Sequence, residues 1–257
     1  MKWEQSLWRR FRLRPATVVM QDQAAFYREY PPRLALNIVD PRIVISHKWK
    51  YAYARIPKAA NSTIVATLHA AETGCSEISD IDRTKREFIN PSQLDPDQLN
   101  ELESSYFKFT FVRNPYTRLL SAYLDKILAE QRTGGRHRRK AAAFLGRPVE
   151  ADISFSDFVD YLEFGGGVHT NGHWARQIDM LVMPPGKFDY VGKFEDLEQG
   201  LGEATRRIFG ARKEINTYAP HATSASSQIA LLDGSLRRRI ARIYEEDFEA
   251  FHYPFDS

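Results

Sequence analysis

With 257 residues, 43% of them hydrophobic and 12% aromatic, the chain can bury one sizeable core and is too apolar to be a disordered segment. A net charge of +3 gives no compositional case for a nucleic-acid binder, and no recognised nucleic-acid motif accompanies it. The single cysteine, Cys75, excludes an intrachain disulfide.

Residues 1–50 hold no recognisable motif and read as an extension packed on, or leading into, one domain that spans 1–257. Their basic residues (Lys2, Arg9, Arg10, Arg12, Arg14) precede no apolar segment, and no run of eighteen apolar residues exists anywhere. The expectation is a chain without a secretory signal or membrane span, in a cytoplasmic setting. Residues 42–46 and 51–54 read as strands, and 64–71 as a helix. Between the second strand and that helix lies RIPKAANST, residues 55–63. Strand, tight loop and helix start form an anion cradle: free first-turn amides carry partial positive charge. Lys58 adds a full charge, and Asn61, Ser62 and Thr63 add side-chain donors. A nucleoside-triphosphate loop would need glycines before the lysine and a hydroxyl directly after it, so the pattern points to an anion held without a metal. An ordinary Pro-Lys turn with Asn61 or Ser62 as N-cap is the structural alternative.

Asp95-Pro96 marks a turn into a helix over 96–104, and 107–112 (FKFTFV) reads as a buried strand ending at Arg113. Asn114 suits an N-cap and Pro115 the first helical position. Leu119, Leu120, Tyr123, Leu124, Ile127 and Leu128 then give one apolar helical face. Arg113 therefore stands at a strand's C-terminal end, where open α/β sheets gather ligands, with Ser121 about two turns further on. The guanidinium and the hydroxyl suit one phosphate; a structural Arg113–Asp125 pair is the alternative. Arg132, Arg136, His137, Arg138, Arg139, Lys140 and Arg147 form a basic segment, read either as a solvated loop or as a flap attracting an anionic acceptor. A helix is expected over 155–164, then a glycine run (165–167) suited to a mobile loop, then short strands at 181–183 and 190–192. The hydroxyl-rich 223–227 precedes a last helix whose buried face is Leu236, Ile240, Ile243, Tyr244 and Phe248, with Arg237, Arg238 and Arg239 outward.

Taken together, RIPKAANSTI resembles the 5′-phosphosulfate loop of sulfotransferases, and FTFVRNPYTRLLSAYLDK resembles their 3′-phosphate motif, close to the carbohydrate (family 2-like) branch of Golgi enzymes and bacterial relatives. NGHWARQ (171–177), FDYVGKFEDLEQGL (188–201) and IYEEDFEAFHYPF (243–255) also look like that branch, in its order. The resemblance implies a single α/β domain with a central parallel sheet flanked by helices, related to P-loop nucleotide kinases. It implies 3′-phosphoadenosine-5′-phosphosulfate as donor, no metal, and a glycan or small hydroxyl-bearing acceptor. Lys58, Ala59, Ala60, Asn61, Ser62 and Thr63 would wrap the 5′-phosphosulfate, and Arg113 and Ser121 would hold the 3′-phosphate. Arg118 and Asp125 would brace the helix, Lys193 would lie near the donor, and the loop at 223–227 would close over it. Asn61 and the Ala175-Arg176 pair depart from the usual pattern. Animal relatives carry a membrane anchor; its absence from the sequence points toward a bacterial, soluble version.

Sulfuryl transfer develops negative charge on the leaving phosphate oxygen, and Lys58 is the candidate that meets it. The acceptor hydroxyl needs a base, for which His173, His169 and Glu72 are the candidates, His173 foremost. The rival readings are a P-loop-like small-molecule kinase and a non-catalytic binder of anionic polymers.

Overall fold

The computed structural model describes residues 24–129, 135–214 and 232–255. Two short helices, α1 (Ala25–Glu29) and α2 (Leu36–Val39), lead into β1 (Ile43–Ser46), which turns back into β2 (Tyr51–Ala54). Then come α3 (Asn61–Thr73), α4 (Ile81–Thr84), α5 (Pro96–Ser105) and β3 (Phe107–Val112). α6 (Pro115–Tyr123) runs on into a π-helical turn, Leu124–Leu128. α7 (Arg136–Phe144), α8 (Phe155–Phe164) and α9 (Gln177–Leu181) precede β4 (Tyr190–Lys193), α10 (Leu197–Phe209), α11 (Gly234–Ile243) and α12 (Glu245–Ala250).

The four strands stand in the order β1-β2-β3-β4. β2, β3 and β4 are parallel, but β1 pairs antiparallel with β2, so the sheet is mostly rather than wholly parallel. The reason is connection length. Four residues join β1 to β2, enough for a hairpin, whereas a parallel neighbour needs a crossover of about a dozen residues or more. β1 and the buried Phe26, Tyr27, Leu34 and Val39 before it belong to the core, so the described part of the N-terminal extension completes the sheet.

Helices cover both faces, and the strand sequences alternate to suit two different layers. Tyr51, Tyr53, Phe109 and Phe111 point to one side and pack against Ile64, Val65 and Leu68 of α3 and Leu201 and Ala204 of α10. On that side Tyr53 stacks on Phe109 at 4.8 Å. Ala52, Ala54 and Val112 point to the other side, toward α6 and α8. Small residues on that face leave room for the loops that carry the candidate site.

Leu181, Val182 and Met183 do not form the expected strand. Leu181 ends α9, Val182 takes a positive φ of 65°, and Met183 N–H bonds back to Leu181 O. A short apolar run is as compatible with a buried helix end as with a strand. The expected single last helix is two, because Tyr244 leaves helical geometry between α11 and α12. Among the described residues, no helix is long and apolar enough to cross a membrane. Arg132, the basic residues before residue 24, and the hydroxyl-rich 223–227 lie outside the described residues.

Candidate active site

The lysine loop leaves the C-terminal end of β2 and bends sharply. Lys58 and Ala60 both hold left-handed backbone, with φ of 70° and 58°. Such geometry costs a non-glycine residue about 1–3 kcal/mol and recurs where a ligand is clamped. Ala60 is the N-cap of α3 and offers no side-chain cap. Neither Asn61 nor Ser62 is the N-cap; both lie inside the helix, half-buried, with Thr63 beside them. A fully buried Ala59 sits between the two left-handed residues.

Lys58 Nζ meets Asp125 Oδ2 at 2.6 Å, and Lys126 Nζ meets the same oxygen at 3.2 Å. Asp125 therefore pairs with the loop lysine, not with Arg113. It reaches there from the π-helical turn, whose wider coil continues α6 past Tyr123. Burial lowers the Lys58 pKa from its ordinary value, and the Asp125 carboxylate opposes that shift.

The arginine turn leaves β3 beside it. Asn114 caps α6 by accepting Tyr116 N–H at 2.9 Å, with Pro115 in the first turn. Arg113 is buried. Its Nη1 donates to Lys58 O at 3.1 Å, its Nε donates to Thr117 Oγ1 at 3.1 Å, and its guanidinium lies 4.2 Å from the Phe194 ring centre. Burial pulls its pKa down to about 10. Gln177, fully buried, grips the Arg113 backbone both ways, its Oε1 accepting the N–H and its Nε2 donating to the carbonyl. Ser121 is buried two turns along α6.

Arg118 is the staple of the site. From a fully buried position it donates to Pro57 O at 3.0 Å, Ala175 O at 2.8 Å and Gly172 O at 2.9 Å. It thereby ties the lysine loop to the segment 171–177. In that segment His173 N–H and Nδ1 both face Asn171 Oδ1, at 2.9 and 2.7 Å. Burial pushes the His173 pKa well below the ordinary 6.5, helped by the charges of Lys126, Arg42, Lys58 and His137. His173 thus stands within the electrostatic reach of Lys58.

The other two base candidates fall elsewhere. Glu72 lies at the far end of α3, on the order of 16 Å along the helix from the loop, and accepts the Tyr51 hydroxyl at 2.6 Å. His169 is exposed, in a single 3-10 turn, Gly167–His169. Lys193 ends β4, donates to His252 O and lies over the Tyr253 ring. A cleft of about 860 Å³ opens beside β4, lined by Lys193, Glu195, Gly200, Glu203 and Arg212 among others. It borders the arginine turn through Glu195, which accepts Asn114 N–H.

From Arg136 to Phe144 the basic segment is a helix, not a solvated loop. Arg136, Arg139 and Lys140 are exposed, but Arg138 is fully buried and donates to the carbonyls of Val149, Ile127 and Ala151. Asn171, Gln177 and Asp247 had no assigned role in the sequence. Asp247, fully buried, caps α9 by accepting the N–H groups of Gln177 and Ile178. Burial raises its pKa to about 6. The only sequence signal for these three was their place inside segments of family likeness.

The model for the Sulfotransferase family matches residues 41–254. The chain is 27% identical over 228 residues to carbohydrate sulfotransferase 14 of Mus musculus, covering 82% of this chain and 60% of that protein. It is 28% identical over 232 residues to the Homo sapiens protein of the same name, with the same coverage. Against carbohydrate sulfotransferase 10 of Xenopus laevis it is 27% identical over 244 residues, covering 82% of this chain and 67% of that protein. The chain spans about three fifths of the length of the first two. No solved structure matches it.

Proposed function

The chain belongs to the sulfotransferase family, and from that premise we propose that it moves a sulfuryl group from 3′-phosphoadenosine-5′-phosphosulfate to a carbohydrate hydroxyl. The carbohydrate class rests on relatives that carry the word in their names. The donor rests on the family and on the fit of the two turns. The bound donor supplies an electrophilic sulfur and a phosphate leaving group.

The loop 55–63 offers an uncapped helix start, two left-handed residues and an ammonium, a set suited to a tetrahedral anion. Arg113 and Ser121 would hold the second phosphate. Lys58 would give its ammonium to the leaving oxygen, where negative charge grows only as the bond breaks, so its effect falls on rate more than on affinity. His173, kept neutral by burial and then by its cationic surroundings, would take the acceptor proton. The observation that carries the reading is the 3.1 Å bond from Arg113 Nη1 to Lys58 O, because it sets the two cationic turns side by side on neighbouring strands.

Titration calorimetry with adenosine 3′,5′-bisphosphate is the test. Binding at micromolar strength or tighter is expected. Arg113→Ala should weaken it by roughly 2–4 kcal/mol, the loss of charge-assisted hydrogen bonds. Lys58→Ala should keep binding within a few-fold while turnover falls at least about 100-fold, since one preorganised charge is worth that much at a transition state. No heat with the nucleotide, or normal turnover by Lys58→Ala, would end this reading.

A further inference from the structure

We infer that Asn171 is a positioning residue that fixes His173 in the neutral tautomer with a bare Nε2, while His137 holds the Asn171 amide from behind. The inference rests on the reading of His173 as the base.

The hydrogen-bond pattern determines the proton positions. The backbone N–H of His173 can only donate, so the Asn171 atom 2.9 Å from it is the amide oxygen. The same oxygen lies 2.7 Å from His173 Nδ1, and an amide oxygen only accepts. Nδ1 therefore carries the ring proton. A neutral imidazole has one N–H, which leaves the lone pair on Nε2. Among the described residues no hydrogen bond engages Nε2. With its oxygen committed, Asn171 turns its NH₂ toward His137, 3.1 Å from Nδ1 and 3.4 Å from Nε2. An NH₂ only donates, so its partner is whichever His137 nitrogen carries the lone pair.

The surroundings keep this chain of three side chains in place. His137 stands edge-on to Trp174, ring centres 5.3 Å apart. Trp174 is fully buried, donates from Nε1 to Gly167 O at 2.8 Å, and its own carbonyl accepts the Tyr244 hydroxyl at 2.6 Å. Arg118 holds the carbonyl of Gly172 between Asn171 and His173. The charged and titratable groups acting on the His173 ring are Lys126 from the π-helical turn, Arg42 before β1, Lys58 from the loop and His137 from α7. All four disfavour a second ring proton. In the transfer step the acceptor O–H proton passes to Nε2, while Nδ1–H stays on Asn171 Oδ1. The resulting imidazolium returns one proton to solvent after the product leaves.

Long-range ¹H–¹⁵N correlation spectroscopy on histidine-labelled protein reads the tautomer without turnover, and His173→Gln assigns the resonances. At pH 7.5 the wild type should show a protonated Nδ1 and a bare Nε2. Asn171→Leu should give a tautomer mixture and cut kcat roughly 10- to 100-fold, part of the roughly 10²–10⁴ that a base contributes, with donor KM unchanged within about twofold. Asn171→Asp keeps the acceptor oxygen, so it should retain the tautomer, recover most of the rate and move the acidic limb of kcat/KM upward. That variant also carries the test if the leucine protein does not fold. A wild-type His173 protonated at Nε2, or a tautomer unaltered by Asn171→Leu, would overturn the inference. Normal turnover by His173→Gln, with the wild type showing the expected tautomer, would instead remove the base reading beneath it.

Discussion

Lys58 carries its charge where burial resists it. Desolvation lowers its pKa, and the Asp125 carboxylate at 2.6 Å opposes that shift. Asp125 is thus a counterion for the residue expected to work at the transition state. Asp125→Asn removes that support and leaves the burial. The alkaline limb of kcat/KM should then move to lower pH than in the wild type, read from a pH–rate profile; an unmoved limb would dissociate Lys58 protonation from turnover. Arg118 presents the opposite problem, a buried cation whose partners are three carbonyls of two loops. A lysine there cannot reproduce the planar fork. Arg118→Lys should cost roughly 2–3 kcal/mol, a fall in Tm of about 4–12 °C for a chain of this size, measured by calorimetry.

Elements set how near these residues come to one another. β2 and β3 are neighbours in parallel register, so their C-terminal turns emerge together, and the Arg113 side chain reaches the Lys58 carbonyl directly. β4 extends the same edge only because Gly192 faces the Phe111 ring: a Cβ at Gly192 would run into that ring. Gly192→Ala should therefore destabilise the protein by about 1–3 kcal/mol in urea unfolding, with the usual overpacking origin. These strands, the helix after each turn and the Asn114 cap were legible in the sequence, because alternation, the Asn-Pro pair and the apolar face are local signals. The π-helical turn was not. Leu124, Ile127 and Leu128 fit an ordinary helical face, and nothing local reveals that Arg138, fourteen residues from Leu124, will take the Ile127 carbonyl and help hold the wider coil. The burial of Arg138 was hidden for the same reason, since a basic run reads as solvated until the carbonyls it meets are known.

Across the whole molecule, the two candidate turns were written in contiguous residues, but the support behind them is assembled from distant segments. Gln177 clasps Arg113, Asp247 caps the helix that begins with Gln177, and Tyr244 holds Trp174 next to His173. No spacing rule connects residues about 60–70 positions apart, which is why these roles were missed while Lys58 and Arg113 were singled out. The same assembly buries two groups with opposite pH responses. The folded pKa of His173 lies well below 6.5, so its contribution to stability is present above pH 6.5 and lost progressively as pH falls from there through the lower folded pKa. The folded pKa of Asp247 is raised from 3.8 to about 6, so its contribution is full below pH 3.8 and lost as pH rises through about 6. Between about pH 6.5 and 4 the two slopes oppose each other, each limited to about 1.4 kcal/mol per pH unit. Subtracting variants separates them. The wild type should lose stability relative to His173→Gln on going from pH 7.5 to 5, since only the wild type has an imidazole that its unfolded chain protonates. It should gain relative to Asp247→Asn over pH 6.5 to 4.5, because only the wild-type fold binds a proton at that carboxyl more tightly than the unfolded chain does. Urea unfolding at four or five pH values measures both differences, and parallel curves for either pair would mean that the group in question is not held in the environment described.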